Sequence, residues 1–160
     1  MKKFITAVSL TLAATGFAGL ANAETWSPTG PVALASVEPL ALFKGIPLDC
    51  DLMGAVTLNG SDASVGALQL SGGLFDLCNT ITFTDLPYNL EGNADGTATM
   101  EGVVVQAVTG NCAGDLTGTF DQATGVLTFD AAVLPATDSG GDCTISGNVM
   151  TNPQASYTNP

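Results

Sequence analysis

The sequence predicts an all-β domain, a disulfide-stapled antiparallel β-sandwich or flattened barrel from two duplicated hairpin-containing halves. Beyond Lys44 the chain breaks into short runs rich in Val, Thr, Ile, Leu and Phe, cut by turn residues every eight to twelve positions. No stretch after residue 23 carries apolar residues at three-and-four spacing without an intervening glycine or proline, so helix is confined to short turns. Four cysteines lie in two similar neighbourhoods and expose an internal repeat.

The first segment reads as an address. Met1-Lys2-Lys3 is positive, Phe4 to Leu20 is uncharged and apolar or small, and Ala21-Asn22-Ala23 is a small-x-small cleavage site, which predicts a signal peptide over residues 1–23. The apolar run of about 17 residues is short for a membrane span of ~20, and no comparable run follows, so no membrane-spanning segment is expected. No cysteine stands at the cleavage site, which argues against a lipoprotein. The expected location is secreted, periplasmic or extracellular. Residues 24–42, with Pro28, Pro31 and Pro39, read as an extended lead-in with edge strands, and residues 43–160 as a single β domain.

Within that domain, Gly54 to Leu58 and Ala63 to Leu70 flank Asn59-Gly60-Ser61-Asp62, a turn whose Asn-Gly tolerates positive φ, and read as a hairpin. Thr80 to Phe83 is a short strand. Thr97 to Val108 is a longer one, whose Val103-Val104-Val105 run suits a strand covered on both faces. Leu116 to Phe120 and Val126 to Ala132 flank Asp121 to Gly125 as a second hairpin, and Thr144 to Met150 is the last strand.

Cys50 precedes one hairpin and Cys78 follows it; Cys112 and Cys143 bracket the other, with equivalent cysteines 62 and 65 residues apart. Two units of this length are a duplicated half-domain rather than a solenoid. Four cysteines in an exported chain imply two disulfides with three possible pairings, and the repeat favours Cys50–Cys78 and Cys112–Cys143. The sequence has no His and no Cys-x-x-Cys, so paired thiols are favoured over a metal site, and a catalytic thiol would lack a base.

Charge narrows the partners. After residue 23, Lys44 stands alone against fifteen carboxylates, a formal charge of −14. One cation does not neutralise a row of phosphates, so nucleic acid and anionic lipid are poor partners.

Catalytic chemistry finds little footing. Without His, the available bases are carboxylates and Lys44, and a Ser-Lys pair using Ser36 or another serine lacks a strained nucleophile turn. Glu91 to Gly96 resembles the start of a calcium loop, but Glu101 falls at the eleventh position rather than the twelfth and the flanks are strands, so a hairpin turn is the better reading. Asp49, Asp51 and the acids from Asp138 to Asp142 read as solvated loop carboxylates. No catalytic residue, cofactor or metal ligand is assigned. The apolar side chains Leu74, Phe75, Leu77, Leu86, Pro87 and Tyr88 cluster around Cys78 and form a candidate apolar patch for an oily ligand or partner.

The neighbourhoods of the cysteines add a resemblance. Phe43-Lys44-Gly45-Ile46-Pro47-Leu48-Asp49-Cys50, Leu77-Cys78, Leu86-Pro87-Tyr88, Asn111-Cys112 and Cys143-Thr144-Ile145-Ser146-Gly147, in that order, resemble the Pra family of small exported bacterial proteins, called activators of alkane oxidation. The likeness spans Phe43 to Pro153 and includes all four cysteines. It implies a non-enzymatic secreted accessory protein that promotes alkane oxidation or hydrocarbon use by aiding dispersal, contact or uptake, with a hydrocarbon or cell-surface interface as partner. It carries no catalytic residue over. The chain departs from the family in its acidity and in Tyr88, where the family is expected to have tryptophan. The rival readings are an extracellular adhesin or biofilm-matrix subunit joined by strand addition, and a two-carboxylate hydrolase, which would need a cleft with its pair about 5 to 10 Å apart.

Overall fold

The computed structural model of the protein describes residues 24–159, so the expected signal peptide lies outside the described residues. The strands are β1 (Thr25–Ser27), β2 (Gly30–Ser36), β3 (Leu40–Phe43), β4 (Pro47–Asn59), β5 (Asp62–Gly72), β6 (Thr82–Thr84), β7 (Tyr88–Gly92), β8 (Thr97–Ala107), β9 (Gly110–Asp121), β10 (Val126–Leu134), β11 (Cys143–Asn152) and β12 (Ser156–Thr158). One 3₁₀ segment, Leu74–Thr80, joins β5 to β6. Among the described residues no helix is long and apolar enough to cross a membrane.

Eight strands close into a ring in the order β2, β4, β5, β7, β8, β9, β10, β11 and back to β2, every pairing antiparallel. The architecture is thus an up-and-down barrel, in which each strand pairs with its neighbour in sequence and the first pairs with the last. Two ring positions are filled by interrupted strands. β3 continues β2 between β4 and β11, and β6 continues β7 along β8. The β4–β5 and β9–β10 hairpins, which follow Cys50 and Cys112, lie on opposite halves of the ring.

The period-two pattern explains the closure. Along β4, Cys50, Leu52, Val56 and Leu58 are buried; along β8, Ala98, Met100, Val103 and Val105 are buried. Alternate residues face water, so one apolar face per strand turns inward and a closed sheet buries it without a second layer. A register shift between Met100 and Val103 re-phases β8, with the Gly102 amide donating to the Asp115 carboxylate at 2.8 Å. The Val103-Val104-Val105 run is therefore not covered on both faces: Val103 and Val105 point into the barrel, whereas Val104 lies on the outside, half-buried.

Residues 24–42, expected as a lead-in outside the domain, supply β1, the ring strand β2 and most of β3. The prolines do not keep this segment out of the sheet. Pairing with β11 reaches only Ala33, so Pro31 has a strand on one side alone, where a residue without an amide proton is tolerated.

The two ends of the barrel differ. At one end the β1–β12 ribbon lies over the hairpin turns and brings Trp26 to 4.8 Å from Tyr157 and 5.9 Å from Phe120, centroid to centroid. Trp26 is 2 % exposed and Tyr157 5 %, so this aromatic cluster plugs the barrel. The Tyr157 hydroxyl lies 2.7 Å from the Thr97 carbonyl and 2.9 Å from that of Asn93. Gly92 is required beneath it, because a Cβ there would stand 2.6 Å from the Tyr157 ring. Burial, with the negative charges of Asp95 and Glu24 nearby, pushes the Tyr157 hydroxyl above its ordinary pKa.

Candidate functional site

The opposite end is built from the β3–β4 turn, the 3₁₀ segment, the β8–β9 turn and the β10–β11 loop. Both disulfides sit there. Cys50 at the start of β4 is bonded to Cys78 in the 3₁₀ segment, and Cys112 at the start of β9 is bonded to Cys143 at the start of β11. Cross-links near this end hold in register four loops that no capping ribbon covers. Two disulfides are compatible with an oxidising extracellular or periplasmic environment.

Lys44 adds a polar tie. Its side chain is 7 % exposed, and its ammonium donates to the carbonyls of Gly141 at 3.0 Å and Asn111 at 3.2 Å, contacts Cys112 Sγ at 3.4 Å and pairs with Asp138 at 3.5 Å. Asp138 in turn accepts the Asn111 amide at 2.7 Å. The single cation after residue 23 is thus spent inside the protein, joining three loops around the opening.

Inside that opening is a cavity of about 130 Å³ lined almost wholly by aliphatic and aromatic side chains. Leu48, Leu70, Val105, Leu116, Leu134 and Ile145 form its walls, with Thr80, Thr109, Thr144 and Lys44 as polar lining residues. Leu52, Met100 and Phe129 form its floor and separate it from a second space of about 30 Å³ beneath the aromatic plug. No buried side-chain nitrogen or oxygen among the described residues lacks a hydrogen-bond partner. The lumen presents apolar surface and no unpartnered buried polar side chain.

The rim is apolar and exposed. Phe43, Ile46 and Val108 line the cavity while remaining 49 %, 40 % and 75 % exposed, so the lumen opens to the surface between them. Leu74 and Phe75, at 60 % and 88 % exposure, add apolar surface at this end on the 3₁₀ segment whose Leu77 and Thr80 line the cavity. Phe75 and Asp76 hold left-handed backbone angles, φ 55° and 59°, a conformation costly for a bulky side chain. The chain therefore presents an aromatic ring to water at a strained turn.

The six side chains grouped from the sequence do not form one surface. Leu74 and Phe75 are exposed at this end, and Leu77 is half-buried and lines the cavity. Leu86 is half-buried and Pro87 exposed, in the link between β6 and β7. Tyr88 is 2 % exposed and belongs to the core: its hydroxyl donates to the Thr84 carbonyl or, at 3.0 Å, to that of Val104, and burial raises its pKa, with Asp85 adding to the rise. Adjacency in sequence placed Tyr88 with the patch, but strand alternation turns it inward. Phe43, Ile46 and Val108 were missed. The available signal was their position in or beside glycine-containing turns, where a large apolar side chain has no core to enter.

Among the described residues no group of three or more His, Cys, Asp or Glu side chains is placed to hold a metal ion. At the segment resembling a calcium loop, the Asp95 carboxylate accepts from the Thr97 amide at 3.0 Å and hydroxyl at 2.6 Å, bonds that hold it below its ordinary pKa. Asn93 bonds the hydroxyls of Thr97 and Thr99. The turn is closed on itself.

Fold and site together define a small closed β-barrel protein with an apolar lumen open at one end. The chain matches the family described as "Alkane oxidation protein activator PraA/PraB-like" over residues 1–159 and belongs to that family. No curated protein matches the chain, and no solved structure does. Membership agrees with the resemblance read from the cysteine neighbourhoods, and the family name describes activators of alkane oxidation.

Proposed function

We propose that this protein is a secreted, non-enzymatic accessory factor that promotes alkane oxidation by acting at the boundary between hydrocarbon and water. The observation that carries this reading is the exposed apolar surface of Phe43, Ile46, Leu74, Phe75 and Val108 at one end of a strongly acidic molecule. An apolar end favours contact with oil, and a high like charge over the rest keeps the molecules apart in water. The family description supports alkane oxidation as the process served.

The adhesin reading relies on strand addition at free edges. Ring closure pairs the first strand with the last, and among the described residues the edges left open are those of the three-residue strands β1, β6 and β12 and the part of β5 beyond Val65; the lack of a long free edge strand favours the accessory role over that reading.

The test is the interfacial tension of water against hexadecane with purified, disulfide-bonded protein, together with hexadecane uptake by cells lacking the gene. The expected result is a fall in tension at micromolar protein and restoration of uptake on its addition. No change in either overturns the reading.

A further inference from the structure

We propose that the lumen binds the end of one uncharged alkyl chain, and that the site rejects the corresponding fatty-acid carboxylate. This deepens the accessory role above, by making the barrel a carrier of single chains in addition to an adsorbing surface.

The volume and the lining carry the first half. An apolar cavity of roughly 150 Å³ stays dry and takes a benzene-sized guest. The lumen, at about 130 Å³, therefore suits a segment of about six carbons. Its walls hold no unpartnered buried polar atom for a ligand headgroup to satisfy. A longer chain leaves its remainder on Phe43, Ile46 and Val108, which line the cavity and reach the surface. The opposite end is sealed by Trp26 and Tyr157, so a chain enters and leaves by the same mouth.

The charge at the mouth carries the second half. A carboxylate taken from water needs donors or a cation to replace its hydration. Lys44 is the cation at hand, and its ammonium is already met by two carbonyls and the Asp138 carboxylate. An incoming acid would have to displace Asp138 while facing the remaining negative charge of the protein. An alkane or alcohol meets no such obstacle. The site thus accepts hydrocarbon and refuses the acid that full oxidation of its terminal carbon yields, so this end product does not block it.

The test follows methyl resonances of the purified protein in ¹H–¹³C spectra during titration with n-hexane, 1-hexanol or sodium hexanoate at neutral pH. Saturable shifts of the Leu134 and Ile145 methyls are expected with hexane and hexanol, while the outward-facing Val133 methyls stay in place. Hexanoate is expected to bind at least about tenfold more weakly, and Asp138→Asn, which frees Lys44 for an anion, to narrow that gap. Val105→Phe fills the lumen and should abolish the shifts; should it fail to fold, Ala107→Leu, nearer the mouth, serves instead. Shifts confined to the rim, or none, overturn the lumen site. Equal binding of hexanoate and hexanol overturns the selection by charge. A protein that lowers interfacial tension without lumen shifts retains the accessory reading and loses this one; lumen shifts without interfacial or uptake activity do the reverse.

Discussion

Lys44 Nζ and the Asp138 carboxylate stand 3.5 Å apart at the mouth of the barrel, and Gly110 lies beneath both. A Cβ on Gly110 would come within 2.6 Å of Lys44 Cε and 2.7 Å of Asp138 Oδ1, and its φ of +119° is one that other residues rarely adopt. Glycine at this turn lets the ion pair settle over the backbone and tie the β3–β4 turn to the β10–β11 loop.

Replacing Lys44 with methionine keeps the aliphatic stem and removes the donor to Gly141, Asn111 and Asp138. Because the acceptors are partly exposed and regain water, the expected loss is about 1 to 3 kcal/mol, read as a lower urea midpoint with an unchanged slope. Gly110→Ala should destabilise in the same direction through strain and displacement of the pair. Unchanged midpoints for both would show that the pair contributes nothing to the fold.

At the other end, Trp26→Ala removes the largest buried side chain of the plug, with an expected cost of about 3 to 5 kcal/mol. Tyr157→Phe keeps the ring and loses only the hydroxyl bond to Asn93 or Thr97, at about 1 kcal/mol. Thermal unfolding of the two variants should keep this order. A larger effect of Tyr157→Phe would place the hold of the ribbon in the hydroxyl rather than in ring packing.

The disulfides close loops with sequence separations of 28 and 31 residues. By the chain-entropy argument each contributes about 3 to 4 kcal/mol. Replacing either pair by alanines should lower stability by that order. Both lie toward the open end, so hydrogen exchange should rise first in the 3₁₀ segment and the β10–β11 loop, before the β1–β12 ribbon. Exchange that rises first at the ribbon would contradict this division of labour.

Phe75 offers a separation of function from stability. At 88 % exposure and φ 55°, it makes little packing contribution and strains the backbone, whereas asparagine tolerates left-handed angles. Phe75→Asn is expected to leave stability equal or raise it by up to about 1 kcal/mol, and to weaken adsorption to hexadecane. A variant that unfolds earlier and adsorbs normally would remove Phe75 from the interfacial role.

Both buried tyrosines have folded pKa values raised above the unfolded value near 10, chiefly by burial. Between those values the native state holds protons that the unfolded state has released. The stability they represent is therefore complete below about pH 10 and lost as pH rises through the folded values. Absorbance at 295 nm should show both hydroxyls titrating later in the native protein than in urea, with unfolding promoted above pH 10. Coincident native and denatured titration curves would refute the burial argument.

Much of this protein was legible in its sequence because the determining interactions are local. Asn59-Gly60 and Asp121 to Gly125 turn the β4–β5 and β9–β10 hairpins, and the repeat around Cys50, Cys78, Cys112 and Cys143 indicated which cysteines pair. Period-two burial followed from the alternation of side chains along each strand. Closure was beyond such signals. That β2 bridges β4 and β11, joining residues more than a hundred positions apart, depends on how twist and tilt accumulate around eight strands, and no short window records that sum. The same closure decided that Lys44 reaches Asn111 and Gly141, and that Phe43 and Val108, far apart in the chain, meet around one opening. Local chemistry specified the strands and turns; only the ring of pairings enclosed a lumen, because an interior exists only when the last strand finds the first.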